Sequence, residues 1–151
     1  MKLKKVLFFA LASFFLFGFS NNASAEEAPV VDEEVVESIA EPVNNAINNS
    51  IQSSYKVRSS IKVYDPLFLT NYAVAKSTTT RNIDYLYARS RTFNGDGGLI
   101  KSKSSSAKNS SYASAKAKNG TIYSKDDWAI GNHTYKDSGY KTIKHETRAE
   151  W

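Results

Sequence analysis

No cysteine occurs anywhere in this chain of 151 residues, so no disulfide can staple the fold and no lipid can be attached through a thiol. Proline is scarce. Of the three, only Pro66 lies beyond Tyr55, which leaves long stretches free to pair in sheets. Histidine occurs twice, as His133 and His145, and a zinc site takes three or four ligands. His145-Glu146 lacks the second histidine of a metal-binding helix. On a strand the two side chains would also point to opposite faces. No serine sits in a Gly-x-Ser-x-Gly elbow. Asp126 and Asp127 are adjacent, and neighbouring carboxylates on an extended chain diverge instead of flanking a scissile bond. Asp96 stands among glycines without the spaced acids and closing glutamate of a calcium loop. These absences argue against an enzyme, a cofactor or a metal centre. The longest apolar run, Val6 to Phe19, has 14 residues, short of the roughly 20 that span a bilayer as a helix.

That run has another reading. Lys2, Lys4 and Lys5 precede it and Ala23-Ser24-Ala25 follows it. Positive, apolar and small-x-small segments in that order predict a secretory signal cleaved after Ala25. The polar C-terminus, Lys144 to Trp151, carries no membrane tail, so the expected product is a secreted chain of 126 residues beginning at Glu26. That length fits one domain with a modest core.

Charge then divides the product. Residues 26–54 hold seven acids and no base. Residues 55–151 hold 17 Lys/Arg against 8 Asp/Glu, a net of +9. An acidic arm thus precedes a basic domain, and opposite charges attract over about 8–10 Å at physiological salt. The arm could fold back on the basic face or act as a soluble spacer. Val31, Val35, Ile39, Val43, Ile47 and Ile51 recur every four residues, which suits a helical stripe. Pro42 interrupts it, and the Asn-rich stretch 44–50 has poor helix propensity. The arm is expected to be marginally helical or disordered.

From Tyr55 onward, two-residue alternation dominates and helical periodicity is missing. Arg81 to Phe93 places Ile83, Tyr85, Tyr87, Arg89 and Arg91 on one face and Asp84, Leu86, Ala88, Ser90 and Thr92 on the other. Asn94-Gly95-Asp96-Gly97-Gly98 predicts a tight hairpin turn. Leu99 to Lys118 reads as a long polar strand or hairpin arm, with Asn119-Gly120 as the next turn. Thr121 to Lys125 and Trp128 to Tyr135 are strand candidates, and Lys136 to Gly139 is a third turn. The final strand, Tyr140 to Trp151, sets Ile143, His145, Thr147, Ala149 and Trp151 against Lys144, Glu146, Arg148 and Glu150. The predicted fold over 55–151 is all-β, an antiparallel sandwich or small barrel built as a meander.

The strongest chemical signal is basic. Lys101, Lys103, Lys108, Lys116 and Lys118 fall in 18 residues without an acid, with Tyr112 in their midst. Lysines on an edge strand discourage aggregation. They also offer an anion-binding surface, with tyrosine for stacking. The expected partners are an anionic wall polymer or a membrane surface, and export excludes intracellular nucleic acid. Composition does not set the oligomeric state.

Thr79-Thr80-Arg81-Asn82-Ile83-Asp84, Tyr87-Ala88-Arg89-Ser90-Arg91, Asn94 to Leu99 and Ser110-Ser111-Tyr112-Ala113-Ser114-Ala115 follow the signal and the acidic arm. In that order they resemble small secreted β-rich proteins of Bacillus and its relatives, some of which accompany bacteriocin-type precursors. The resemblance covers roughly residues 55–151. It implies an exported product of a Gram-positive envelope and brings no catalytic residue with it. Three functions follow as expectations. The first is a non-enzymatic binder of an anionic envelope surface or polymer. The second is a bacteriocin-like protein or precursor held inactive by its acidic arm. The third is an extracellular matrix protein, suggested by the Ser/Thr/Tyr-rich strands.

Overall fold

The computed structural model describes residues 28–43, 53–120 and 126–151. The signal segment expected over 1–25, the Asn-rich stretch and the strand expected at Thr121 to Lys125 lie outside them. Six antiparallel strands make one sheet: β1 (Val30–Ala40), β2 (Tyr55–Tyr64), β3 (Tyr72–Phe93), β4 (Leu99–Lys118), β5 (Trp128–Lys136) and β6 (Ile143–Glu150). The order is β1-β2-β3-β5-β6, with β4 along the other edge of β3.

The fold turns on the length of β3. Its first part pairs with β2 through Val57–Tyr64, and its last part pairs with β5 through Trp128–Lys136. Both neighbours use one edge of β3, so β3 must bend between them, and β4 follows it along the opposite edge. The register slips between Thr78 and Ile83, and Asn109 in β4 takes a φ of 47°. A bulge re-aims the strand there. Ala73, Ala75 and Ser77 face inward before it; Leu86, Ala88, Ser90 and Thr92 face inward after it. The face expected for Leu86 through Thr92 is observed. Ile83 departs from the alternation, because the bulge turns it into the core and away from Tyr85. The sheet is also not the plain meander expected, since β3 pairs with β5 past β4.

The long β3–β4 hairpin is thus doubled over, and the sheet nearly closes into a flattened barrel. Small residues permit the doubling. Ser77 Oγ donates to the Tyr87 carbonyl at 2.8 Å, Ser90 Oγ to the Ala73 carbonyl at 3.1 Å and Thr92 Oγ1 to the Lys118 carbonyl at 3.1 Å. One side-chain hydroxyl fills the space between backbones that stacked sheets ordinarily hold about 10 Å apart. Val57, Ile61, Val63, Ile83, Leu86 and Tyr135 supply the bulk of the core.

The arm is corrected by the structure. Val30–Ala40 is a strand paired along β2 from Val30↔Tyr64 to Ala40↔Tyr55, neither helix nor disorder. A step of four residues is also twice the strand period, so Val31, Val35 and Ile39 share a strand face as readily as a helical one. β1 also seals the barrel. Asp32 Oδ2 accepts from the Glu150 backbone N–H at 3.0 Å, and Glu34 Oε2 accepts from that of Arg148. Outside, Lys62 meets Glu33 at 3.0 Å and Arg58 meets Glu37 at 3.2 Å. The acidic arm therefore lies against basic residues of the domain as part of its sheet.

Candidate anion-binding face

The outer surface of β4, β3, β5 and β6 gathers residues from four strands by register alone. Tyr85 lies opposite Lys108 on one side and Lys136 on the other. Tyr87 lies opposite Ser106 and Thr134, and Thr134 lies opposite Lys144. Tyr85, Tyr87, Thr134, Lys136 and Lys144 line an open groove of about 290 Å³. The Lys136 ammonium sits 5.6 Å from the Tyr85 ring centre. Among the described residues none of Lys108, Lys136 and Lys144 forms an ion pair, so three positive charges surround two half-buried rings.

The nearby acids are engaged elsewhere. Asp137 pairs with Arg81 and accepts from the Asp84 backbone N–H. Asp84 in turn accepts from the Ser138 N–H at 2.8 Å. Arg81 is fixed between the rings of Tyr55 and Tyr140, at 4.4 and 4.8 Å. Glu146 accepts from Asn132 at 2.9 Å and meets Arg91 at 3.7 Å. Arg81 and Arg91 thus offset Asp137 and Glu146, while Asp84 accepts only from a backbone N–H and keeps its charge. Down the same face run Arg89, Arg91 and Phe93, the last stacked on Trp128 with ring centres 5.7 Å apart. Tyr85 to Phe93 spans about 26 Å at the usual strand rise.

The six residues singled out in the sequence are all exposed, in two groups. Lys108 lies beside the groove, opposite Tyr85, without lining it. Tyr112 stands on the outer face of the other layer, opposite Thr78, and Lys116 and Lys118 share that face, opposite Val74 and Tyr72. The Lys116 ammonium lies 3.3 Å from the centre of the Tyr72 ring. Lys101 and Lys103 lie opposite Thr92 and Ser90, on the face that turns inward along β3. The doubled hairpin nevertheless returns Lys101 and Lys103 to the same end of the barrel as Lys116 and Lys118. Thr92, the neighbour of Lys101, bonds to the Lys118 carbonyl. Lys136 and Lys144 escape sequence reasoning because each is a lone lysine beside a turn. The alternation of Tyr85, Tyr87, Arg89 and Arg91 is the visible trace of this face.

Both histidines belong to a belt of hydroxyls and imidazoles inside the barrel. Tyr135 donates to the Arg58 carbonyl at 2.7 Å, so its oxygen accepts from Ser59 at 2.8 Å. Ser59 must then accept from His145 Nδ1 at 2.8 Å, leaving His145 Nε2 to accept from Ser38 at 2.7 Å. Ser77 already donates its proton to the Tyr87 carbonyl. It therefore accepts from His133 Nδ1 at 2.9 Å, and His133 Nε2 accepts from Thr147 at 3.0 Å. Donor counting thus places a proton on both Nδ1 atoms, and burial keeps the rings neutral so that both Nε2 atoms accept. Burial, with His145 adding to it, pushes the His133 pKa down to about 4, and burial lowers that of His145. The belt fastens β1, β2, β3, β5 and β6 to one another. Among the described residues no three His, Asp or Glu side chains converge as metal ligands.

No protein-family model, no curated protein and no solved structure matches this chain.

Proposed function

We propose that the chain is an exported β-barrel domain that binds an anionic, phosphate-bearing polymer of the cell envelope along its outer basic face. The observation behind this reading is the groove itself, lined by Lys136 and Lys144 from two strands with Tyr85 and Tyr87, and flanked by Lys108, which lies opposite Tyr85. Such a groove offers charge to phosphates and apolar ring surface to the linking backbone. The stripe of Arg89, Arg91, Phe93 and Trp128 extends it in one direction, which suits a linear polymer better than a single small anion.

Binding to a poly(glycerol phosphate) chain should weaken steeply with salt. By analogy with single-stranded polyanions, three phosphate contacts give a log–log slope of about −2. Isothermal titration at several salt concentrations, repeated with Lys136→Gln/Lys144→Gln, is the test. The double variant should bind at least about tenfold more weakly at low salt and with a shallower slope. Equal affinity and equal slope for the two chains would remove this face from consideration.

A further inference from the structure

The β2–β3 turn carries Leu67, Phe68 and Leu69 in succession, exposed by 81, 94 and 65%. Three consecutive large apolar side chains facing water are costly, and the backbone shows that the display is held in place. Phe68 takes a φ of 63°, in the left-handed region that a bulky residue disfavours. The turn is pinned at its base. Leu69 N–H donates to the Pro66 carbonyl at 3.2 Å, Asp65 N–H to the Pro29 carbonyl at 3.3 Å and Asn119 N–H to the Asn71 carbonyl at 2.7 Å.

The surroundings point to the occupant. Tyr64 and Tyr72 stack just behind the tip with ring centres 4.7 Å apart, and Trp151 Nε1 donates to the Tyr64 carbonyl at 3.1 Å. Tyr64 is buried, so half-buried Tyr72 and Trp151 are the rings that can reach the lipid headgroup level, where tyrosine and tryptophan settle. Lys118 pairs with Tyr72 at the root of the turn, Lys116 lies over the Tyr72 ring, and the doubled hairpin adds Lys101 and Lys103 at this end. None of the four forms an ion pair among the described residues. Asp65, Asp96, Asp126 and Asp127 stand at the same end and balance the four lysines in number, but the lysines are gathered on β4. An apolar wedge, an aromatic collar and adjacent ammonium groups match the layering of an anionic bilayer surface from acyl chains outward.

We infer that Leu67, Phe68 and Leu69 form a wedge that inserts into the headgroup–acyl boundary of an anionic lipid membrane. The site is separate from the groove at Tyr85 and Lys136, which lies toward the other end of the barrel. The wedge could therefore hold the domain at a bilayer while the groove holds polymer.

The test uses the full chain and vesicles of phosphatidylcholine with about 30% phosphatidylglycerol, against phosphatidylcholine alone. The wild type should sediment with the anionic vesicles, and Leu67→Ser/Phe68→Ser should lose at least about tenfold in partitioning, since each apolar tip side chain is worth about that factor. Lys116→Gln/Lys118→Gln should lose the preference for anionic vesicles. In Phe68→Trp, the added emission should be quenched by brominated acyl chains. Phe68→Gly is the sharpest variant. It relieves the left-handed strain, so its melting temperature should rise while vesicle binding falls, a combination that a merely structural tip would not give. Polymer binding should be unchanged in all tip variants, so loss of the groove reading and loss of this one are separable. The inference is overturned if the wild type ignores anionic vesicles, if the serine variant partitions like the wild type, or if bromolipid leaves the added emission of Phe68→Trp untouched. It is also overturned if the tip variants instead abolish a dimer seen by analytical ultracentrifugation, because the wedge would then cover a second copy of the chain.

Discussion

Gly131 has no side chain because two buried atoms already hold the space. A Cβ there would overlap Thr147 Oγ1 and lie 2.7 Å from His133 Nε2. The glycine keeps the His133–Thr147 hydrogen bond possible, and that bond depends on a neutral ring. The consequence appears as pH falls. The unfolded histidine titrates near 6.5, whereas buried His133 holds out to about 4. Between those values the unfolded chain takes a proton that the native chain refuses, so stability falls with falling pH and is insensitive to His133 above about 7. The loss from His133 should be on the order of 3 kcal/mol by about pH 4, and His145 adds in the same direction. Urea unfolding at intervals from about pH 7.5 down to about 4 measures it. His133→Gln, less stable throughout, should show a shallower decline. An identical pH profile for both chains would place the acid sensitivity elsewhere.

At the scale of elements, small side chains decide what β3 does. Between the Ser77–Tyr87 and Ser90–Ala73 bonds lie Ala75 and Ala88, both fully buried. Ala88→Leu places three extra carbons where the arms of the doubled hairpin meet. It should destabilise by about 1–3 kcal/mol through overpacking. The same size of change at exposed Ser106, one row away on the outside, should be within about 0.5 kcal/mol. Comparing urea midpoints separates the two, and equal shifts would mean that the arms are not in close contact. From Arg81 onward, strand existence is largely legible in the sequence, whereas β1 reads as a helix and β2 and the start of β3 are marked only by general alternation. The bounding turns delimit Leu99–Lys118 to the residue, and both faces of Ile143–Glu150 follow from strict alternation of charged and uncharged positions. The bend is not legible. A bulge changes parity without changing composition, so alternation alone puts Ile83 with Tyr85, and the pairing of β3 with β5 depends on contacts far apart in sequence. The groove is hidden for the same reason. Its two lysines and the flanking Lys108 are separated by 28 and 8 positions along the chain and are brought to one face only through register.

For the molecule as a whole, the acidic arm is the element on which closure depends. β1 covers the β2 edge, caps two backbone N–H groups of β6 and gives Ser38 to His145. Its outer valines and Ile39 remain exposed, so its attachment rests on ladder hydrogen bonds and charge more than on burial. This bears on a toxin released by trimming. Cutting away residues through 54 would bare the β2 edge and remove the Ser38 donor from His145 Nε2. The ladder and side-chain bonds of β1 would be lost, and an uncovered edge invites pairing with another chain. The chain 55–151 should therefore melt at a clearly lower temperature than 26–151, or aggregate. A synthetic peptide of residues 28–43 added in trans should restore the transition by re-forming the β1–β2 ladder. Circular dichroism melts with and without peptide decide the matter, and a trimmed chain that melts like the longer one would show that closure does not depend on the arm. Restoration would mean that β1 is exchangeable: the strand carrying four of the arm's seven acids could leave the barrel and return, exposing Arg58 and Lys62 each time it left.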